Sequence, residues 1–141
     1  MSEAQYPPQP APDEDSEGFW AAAADGQLAI CRCVECGLWL QPPLERCRRC
    51  EGATAFEPVA GTGTIYSYIV QRQPSVVGYL EAIPYVVALV DIDGAPGVRL
   101  PARVIDIEPE SIEVGMPVGV RFVGLAGGDY TVPVFGPLPA T

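Results

Sequence analysis

The chain contains no histidine and no lysine. The first absence rules out any Ser-His-Asp or Cys-His arrangement built from this chain alone. The second removes a Schiff-base lysine, a phosphate-loop lysine and a lysine general base, so carboxylates, tyrosines and thiols are left for acid–base work. Positive charge is scarce: eight arginines face 18 acidic residues, for a formal net charge of −10. A phosphate backbone is held mainly by a basic face, so no nucleic-acid partner is expected. Long apolar runs are also missing. No stretch approaches the roughly 20 apolar residues of a membrane span. Residues 1–12 carry neither an arginine nor an apolar segment of the secretory type. The expectation is a cytoplasmic protein without a membrane partner, in a compartment that disfavours structural disulfides. An odd count of five cysteines agrees.

Proline and glycine are plentiful, at 16 and 15 of 141 residues, and 48% of the residues are hydrophobic. This composition favours short strands and many turns around a real core over a helical bundle. Residues 1–15 are rich in Pro, Ala and Gln and hold Asp13, Glu14 and Asp15, as a disordered tail would. Residues 16–58 form a first unit. Ser16 can cap a helix that carries Phe19, Trp20 and the run Ala21 to Ala24 and stops at Asp25-Gly26. Such a helix is too short to stand alone, so its aromatic face must dock on its own ribbon or on a partner subunit. A ribbon strand is expected over residues 27–31.

Residues 59–137 form a second unit, with strands expected over 63–72, 84–92, 97–105, 117–123 and 130–135, and residues 138–141 form a tail. Turn signals at Asp93-Gly94, Glu108-Pro109 and Gly127-Gly128-Asp129 separate the strands. Five strands with a less regular connection at 105–116 fit a five-stranded OB-fold barrel, with a plain β-sandwich as rival. That connection is too short for the usual helix and should hold a turn or less. The expected fold class is mainly β: a short N-terminal helix, a rubredoxin-like zinc ribbon, then an OB-fold barrel.

Cys33-x2-Cys36 and Cys47-x2-Cys50 are separated by ten residues. Each C-x-x-C turns two thiolates toward one ion, and two such knuckles complete a tetrahedral four-sulfur shell. The shell leaves no open position for substrate or water, so the metal is structural. Zinc is the expected filling, one per chain, with iron as the alternative because both accept this geometry. Cys31 is left over and is expected to be a buried, inert thiol. Arg46, Arg48 and Arg49 sit in or beside the second knuckle, where they either offset the charge of the metal–thiolate centre or grip phosphate or carboxylate groups. Gly61-Thr62-Gly63 precedes a strand rather than a helix, so it reads as a turn or bulge at the barrel entry and not as a phosphate loop.

The order Phe19-Trp20, Gln27-Leu28, Cys33-x2-Cys36-Gly37, Pro42-Pro43, Cys47-x2-Cys50 and Gly61-Thr62-Gly63-Thr64-Ile65-Tyr66-Ser67-Tyr68 resembles the family called domain of unknown function 35. Pro84-Tyr85-Val86-Val87-Ala88-Leu89-Val90-Asp91, Ile112-x2-Gly115-Met116-Pro117-Val118 and Pro133-Val134-Phe135 continue the likeness, which covers residues 16–137. The resemblance implies a zinc ribbon followed by an OB-fold and a non-catalytic accessory subunit in acyl-CoA metabolism. Its implied partner is a thiolase-superfamily enzyme, a lipid-transfer-protein-type thiolase or aldolase, with a shared acyl-CoA site, and symmetric assembly then favours a two-plus-two heterotetramer. Phe19 and Trp20 would then be interface residues, and Arg46, Arg48 and Arg49 would hold coenzyme A phosphates. Steroid side-chain or fatty-acid breakdown is the pathway this association suggests. Two alternatives stay open: an accessory subunit of a MaoC-like enoyl-CoA hydratase, and an OB-fold nucleic-acid-binding protein.

Overall fold

The computed structural model describes residues 6–138; the outer parts of both expected tails, residues 1–5 and 139–141, lie outside them. Asp13 and Ser16 open the first element by exchanging hydrogen bonds. Asp13 Oδ1 accepts from Ser16 N at 2.9 Å, and Ser16 Oγ accepts from Asp13 N at 3.1 Å. This reciprocal pair is a capping box, and it satisfies amides that the turn would otherwise leave bare. It leads into α1 (Glu17–Ala24). The capping side chain is therefore that of Asp13; Ser16, where the sequence reading placed the cap, makes no side-chain cap bond into the helix. Asp25 follows as the C-cap, and Gly26 takes a positive φ of 75°, as the Asp25-Gly26 stop requires.

The ribbon is a three-stranded sheet of β1 (Ala29–Cys33), β2 (Trp39–Leu40) and β3 (Thr54–Pro58), with β1 in the centre and both pairings antiparallel. The strand lies slightly later than the expected residues 27–31. Its two faces do different work. Leu28 and Ile30 belong to the barrel core, whereas Cys31 and Cys33 belong to a second cluster with Leu40, Cys47, Leu38 and Phe56. A strand alternates its side chains, so a one-residue register decides which set meets the barrel and which meets the metal.

Beyond the ribbon the chain forms a closed barrel from β4 (Thr62–Gln71), β5 (Tyr85–Ile92), β6 (Arg99–Val104), β7 (Pro117–Gly124) and β8 (Thr131–Pro137). Its strand order is β4-β5-β6-β8-β7, with β4 also pairing β7 to close the sheet. This is the Greek-key order of an OB-fold, and closure excludes the sandwich. The connection between β6 and β7 holds a single 3-10 turn, Pro109–Ser111, and no longer helix. Alternation fills the interior with Val86, Ala88, Val90 and Ile92 from β5 and Leu100, Ala102 and Val104 from β6. Phe135 is fully buried where β8 runs parallel to β6 opposite Val104. Gly61 has a φ of 85° and accepts a bond from Val120 N, while a side chain on Gly63 would run into the Asp91 carbonyl. Gly61-Thr62-Gly63 is thus the tight entry to the barrel.

Helix α1 packs between the two units, touching β1 and β3 of the ribbon and β8 of the barrel. Phe19 rests on the barrel core, and Trp20 meets the Tyr130 ring edge-on with centroids 6.2 Å apart. Gly18 lies so near the Phe56 ring that a methyl there would overlap it. Residues 6–12, expected to be part of a disordered tail, lie extended over the barrel loops. The Gln9 side-chain amide donates to Ala126 O at 2.9 Å, and Pro7 abuts Gly78. No helix among the described residues is long and apolar enough to cross a membrane.

Candidate metal centre

The two knuckles bring Cys33, Cys36, Cys47 and Cys50 together, with all four Sγ atoms within 4.8 Å of one another. Cys33 Sγ is 3.4 Å from Cys50 Sγ, and Cys36 Sγ is 3.7 Å from Cys47 Sγ. A tetrahedron of about 2.3 Å metal–sulfur bonds has edges of about 3.8 Å, so one zinc-sized ion fits between them. The donor chemistry fits as well. Glu35 N and Cys36 N each lie 3.4 Å from Cys33 Sγ, and Arg49 N lies 3.4 Å from Cys47 Sγ. Backbone amides aimed at sulfur support the thiolate form. An ion here would cross-link the two knuckles and, with four sulfurs around it, would supply no open coordination position.

Each knuckle closes by a bond from the residue after its second cysteine: Gly37 N to Cys33 O at 3.1 Å and Glu51 N to Cys47 O at 2.9 Å. Both residues are left-handed, with φ of 78° at Gly37 and 64° at Glu51. Glycine suits that place because it reaches a positive φ without steric cost. In the second knuckle Glu51 takes the left-handed place and Gly52 comes one residue later, packed against Glu35 and the Cys50 sulfur.

As thiols, the four groups would divide their protons unevenly. The Cys36 thiol is drawn down to about 6, first by the Leu38 N–H and then, among other causes, by Arg49 and the thiols of Cys50 and Cys33. The Cys33 thiol is also lowered, chiefly by the Cys36 N–H. Cys50 is pushed up to about 12; the Gly52 N–H favours its thiolate but is outweighed by the sulfurs of Cys33, Cys36 and Cys47 together with desolvation. Clustered thiolates repel, and a divalent cation among them removes that conflict. Arg49 contributes from outside: its guanidinium is held above the usual arginine value by its hydrogen bond and charge attraction to Cys36, and it donates to Cys36 O at 3.3 Å.

Arg46 and Arg48 are exposed, and neither makes a side-chain hydrogen bond or ion pair among the described residues. Of the three arginines singled out from the sequence, only Arg49 is tied to the cysteine cluster. Arg32 is engaged elsewhere, bonding Glu57 at 3.0 Å and Gly37 O at 3.0 Å and covering the Trp39 ring. Alternation along β1 places it on the opposite face from Cys31. Cys31 is buried on the same strand face as Cys33, outside the four-sulfur cluster, with its Sγ 3.5 Å from Leu44 O.

Phe19 and Trp20, expected at an interface, are half-buried against this chain's own ribbon and barrel. Sequence reasoning missed a different surface. Tyr66, Tyr68, Ile69 and Leu89 are exposed on β4 and β5, and Val77 and Leu80 on the loop between them; Ile69 is 60% exposed. The signal was present in the run Tyr66-Ser67-Tyr68-Ile69-Val70, which is apolar at both parities where a one-sided strand would alternate.

Comparison with known proteins gives a consistent family. The family described as the ChsH2 rubredoxin-like zinc ribbon domain matches residues 20–57, and the ChsH2 C-terminal OB-fold domain matches residues 56–123. A probable enoyl-CoA hydratase alpha subunit of Thermomonospora curvata is 39% identical over 132 residues, which is 92% of this chain and 40% of that protein. The chain thus spans well under half of that relative's length. A DUF35 domain-containing scaffold protein of Methanothermobacter thermautotrophicus is 32% identical over 93 residues, 64% of this chain and 68% of that protein. Among solved structures, a chain of an Ltp2-ChsH2(DUF35) aldolase superposes with a TM-score of 0.82 at 36% identity, covering 92% of this chain and 98% of that one.

Proposed function

The chain belongs to the DUF35 family, carrying a ChsH2-type zinc ribbon and OB-fold in tandem, and on that premise we propose that it is a non-catalytic scaffold subunit of a thiolase-superfamily enzyme. The observation that carries this reading is the likeness, over 98% of its length, to the chain from the Ltp2-ChsH2(DUF35) aldolase. The chain's own chemistry points the same way. It has no histidine or lysine, and its one cysteine cluster among the described residues is a closed four-sulfur shell with no position for a substrate. The exposed apolar surface on β4, β5 and their loop supplies what a docking partner needs.

In this reading the cysteine, tyrosine or histidine that performs the reaction belongs to the partner. This chain helps complete the acyl-CoA site, with Arg46 and Arg48 free to meet phosphates. One zinc ion held by Cys33, Cys36, Cys47 and Cys50 stiffens the ribbon that presents them. Two copies flank a dimer of the enzyme, because a symmetric enzyme offers each docking surface twice. Steroid side-chain or fatty-acid breakdown in the cytoplasm is the proposed setting. The reading is tested by co-expressing the chain with thiolase-superfamily enzymes of its own genome and measuring complex mass by light scattering. Co-elution at two plus two supports it; separate elution with full activity in the enzyme alone overturns it.

A second reading is a subunit of a MaoC-like enoyl-CoA hydratase, favoured by the 39% identity to the hydratase alpha subunit. Only 40% of that protein is matched, so this chain corresponds to a part of it. Co-purification with a hydratase in place of a thiolase-like enzyme would select it. An OB-fold nucleic-acid role has only eight cations against a net charge of −10 to draw on.

A further inference from the structure

Arg103 is the arginine whose surroundings neither the metal centre nor the proposed scaffold role accounts for. It sits on β6 opposite Val87, with Ala102 and Val104 on either side turned into the barrel. Its guanidinium carbon lies 5.7 Å from the Tyr79 ring and 5.5 Å from the Tyr85 ring. Those rings are themselves 5.6 Å apart, so the side chain is lodged beside an aromatic pair. Its Nε is buried and has no hydrogen-bond partner among the described residues. The ion pairs of the described chain join Arg32 to Glu57, Arg99 to Asp91 and Arg121 to Asp106, and none reaches Arg103.

The same residue lines an open cleft of about 430 Å³, bordered by Trp20, Tyr79, Leu125, Val132 and the Pro7–Pro10 stretch laid across the barrel. Among the described residues no acidic side chain lines it, in a protein with 18 acidic residues. Its size falls in the range of ordinary small-molecule clefts. Aromatic contact steadies a cation but does not neutralise it, and water cannot reach Nε. The charge therefore has no counter-ion among the described residues, and its buried Nε has neither water nor an acceptor. A phosphate dianion would ask for more donors than this single guanidinium beside apolar walls. A carboxylate asks for one planar fork, which a guanidinium supplies.

We propose that this cleft binds a small organic carboxylate whose acid group pairs with Arg103 and whose apolar or aromatic body rests on Trp20, Tyr79 and the proline segment. The site is separate from the cysteine cluster and from the ribbon arginines, and it does not depend on the scaffold reading. Its test uses the full chain, with 2-naphthoate as the probe and 2-naphthamide as its neutral counterpart. Spectra of arginine-labelled protein resolve the Nε–H signals of eight arginines, and the Arg103 signal is identified by its loss in Arg103→Met. Naphthoate should move that signal in the wild type and bind at least about tenfold more tightly than naphthamide, a typical return for a charge-assisted hydrogen bond. Arg103→Met should lose that preference, with melting temperature and zinc content unchanged. Equal binding of acid and amide, or naphthoate binding that leaves the Arg103 signal still, would overturn the proposal. If Arg103→Met does not fold, Arg103→Lys identifies the signal, and the wild-type comparison of acid with amide decides alone.

Discussion

Cys33 Sγ and Cys50 Sγ, seventeen residues apart in sequence, lie 3.4 Å apart in space, each from a different knuckle. That pairing crosses the ribbon, so an ion between them ties β1 to the turn preceding β3. The expected consequence is about one zinc and little iron per purified chain by elemental analysis. Cys47→Ser should release the metal and unfold the ribbon, because the ion's binding energy is part of the folding energy. Metal-free protein with an unchanged fold would contradict this.

Acid should act on the same centre. Zinc holds its ligands as thiolates, which depresses their folded-state values below those of unfolded thiols. The stabilisation is present above the unfolded thiol range and is lost as pH falls through the depressed values. Zinc release followed with a colour-forming chelator should therefore increase as pH is lowered. Cys36 and Cys50 are the exposed ligands, so thiol reagents should reach them before the buried Cys33 and Cys47.

The Asp13 carboxyl is held below its ordinary value of 3.8, first by the Ser16 hydroxyl and then by the Ser16 N–H. A depressed carboxyl stabilises the fold above the unfolded value and ceases to do so as pH falls through the lower, folded one. Carbon-detected titration should find the Asp13 midpoint below that of an unstructured aspartate. Asp13→Asn, which still accepts the amide bond, should keep most of the cap but lose this pH dependence. Asp13→Ala should lower the melting temperature.

Much of this architecture could be read from residue order because its determinants are local. Val118 and Val120, like Val86, Ala88 and Val90, alternate toward a core, and Asp93-Gly94 and Gly127-Gly128 mark the turns between strands. The cysteine spacing likewise determines which four sulfurs can meet. What escaped depends on contacts between distant segments. The Asp13–Ser16 pair is the exception: only three residues apart, it is local, but the Pro- and Ala-rich run before it reads as tail. Residues 6–12 looked unstructured because their supports, Gly78 and Ala126, lie on loops far along the chain. The faces of β1 depended on a register that Cys31 and Ile30 alone did not determine.

If the ribbon arginines help hold coenzyme A, replacing Arg46 and Arg48 together by Ala should raise the acyl-CoA KM of the assembled complex while leaving the zinc content unchanged. Both are exposed, so each contact is worth about 0.5–1 kcal/mol, a two- to fivefold effect apiece. Arg49→Ala should behave differently and speed zinc loss, because its guanidinium is bound to Cys36. An unchanged KM in the double variant would return Arg46 and Arg48 to the solvated surface.

The partner surface can be told apart from the helix seam by paired variants. Phe19 and Trp20 touch the barrel core and Tyr130, so Phe19→Ala or Trp20→Ala should destabilise the isolated chain by about 2–3 kcal/mol, less than a fully buried aromatic would cost. Ile69 is 60% exposed, beside a groove lined by Tyr68, Val87, Leu89 and Pro101. Ile69→Asp should leave the isolated chain's melting temperature within a degree or two, since a substitution away from the core alters stability little. In a complex that buries the β4–β5 face it places an unpaired carboxylate in an apolar contact, a cost of several kcal/mol. A specific interface of more than about 1,000 Å² would then be weakened by two orders of magnitude or more. Size-exclusion chromatography with the thiolase-superfamily partner reads the difference: Ile69→Asp elutes as free subunit while folded. If Ile69→Asp assembles normally and a folded Trp20→Ala does not, the helix and not the β4–β5 face forms the contact.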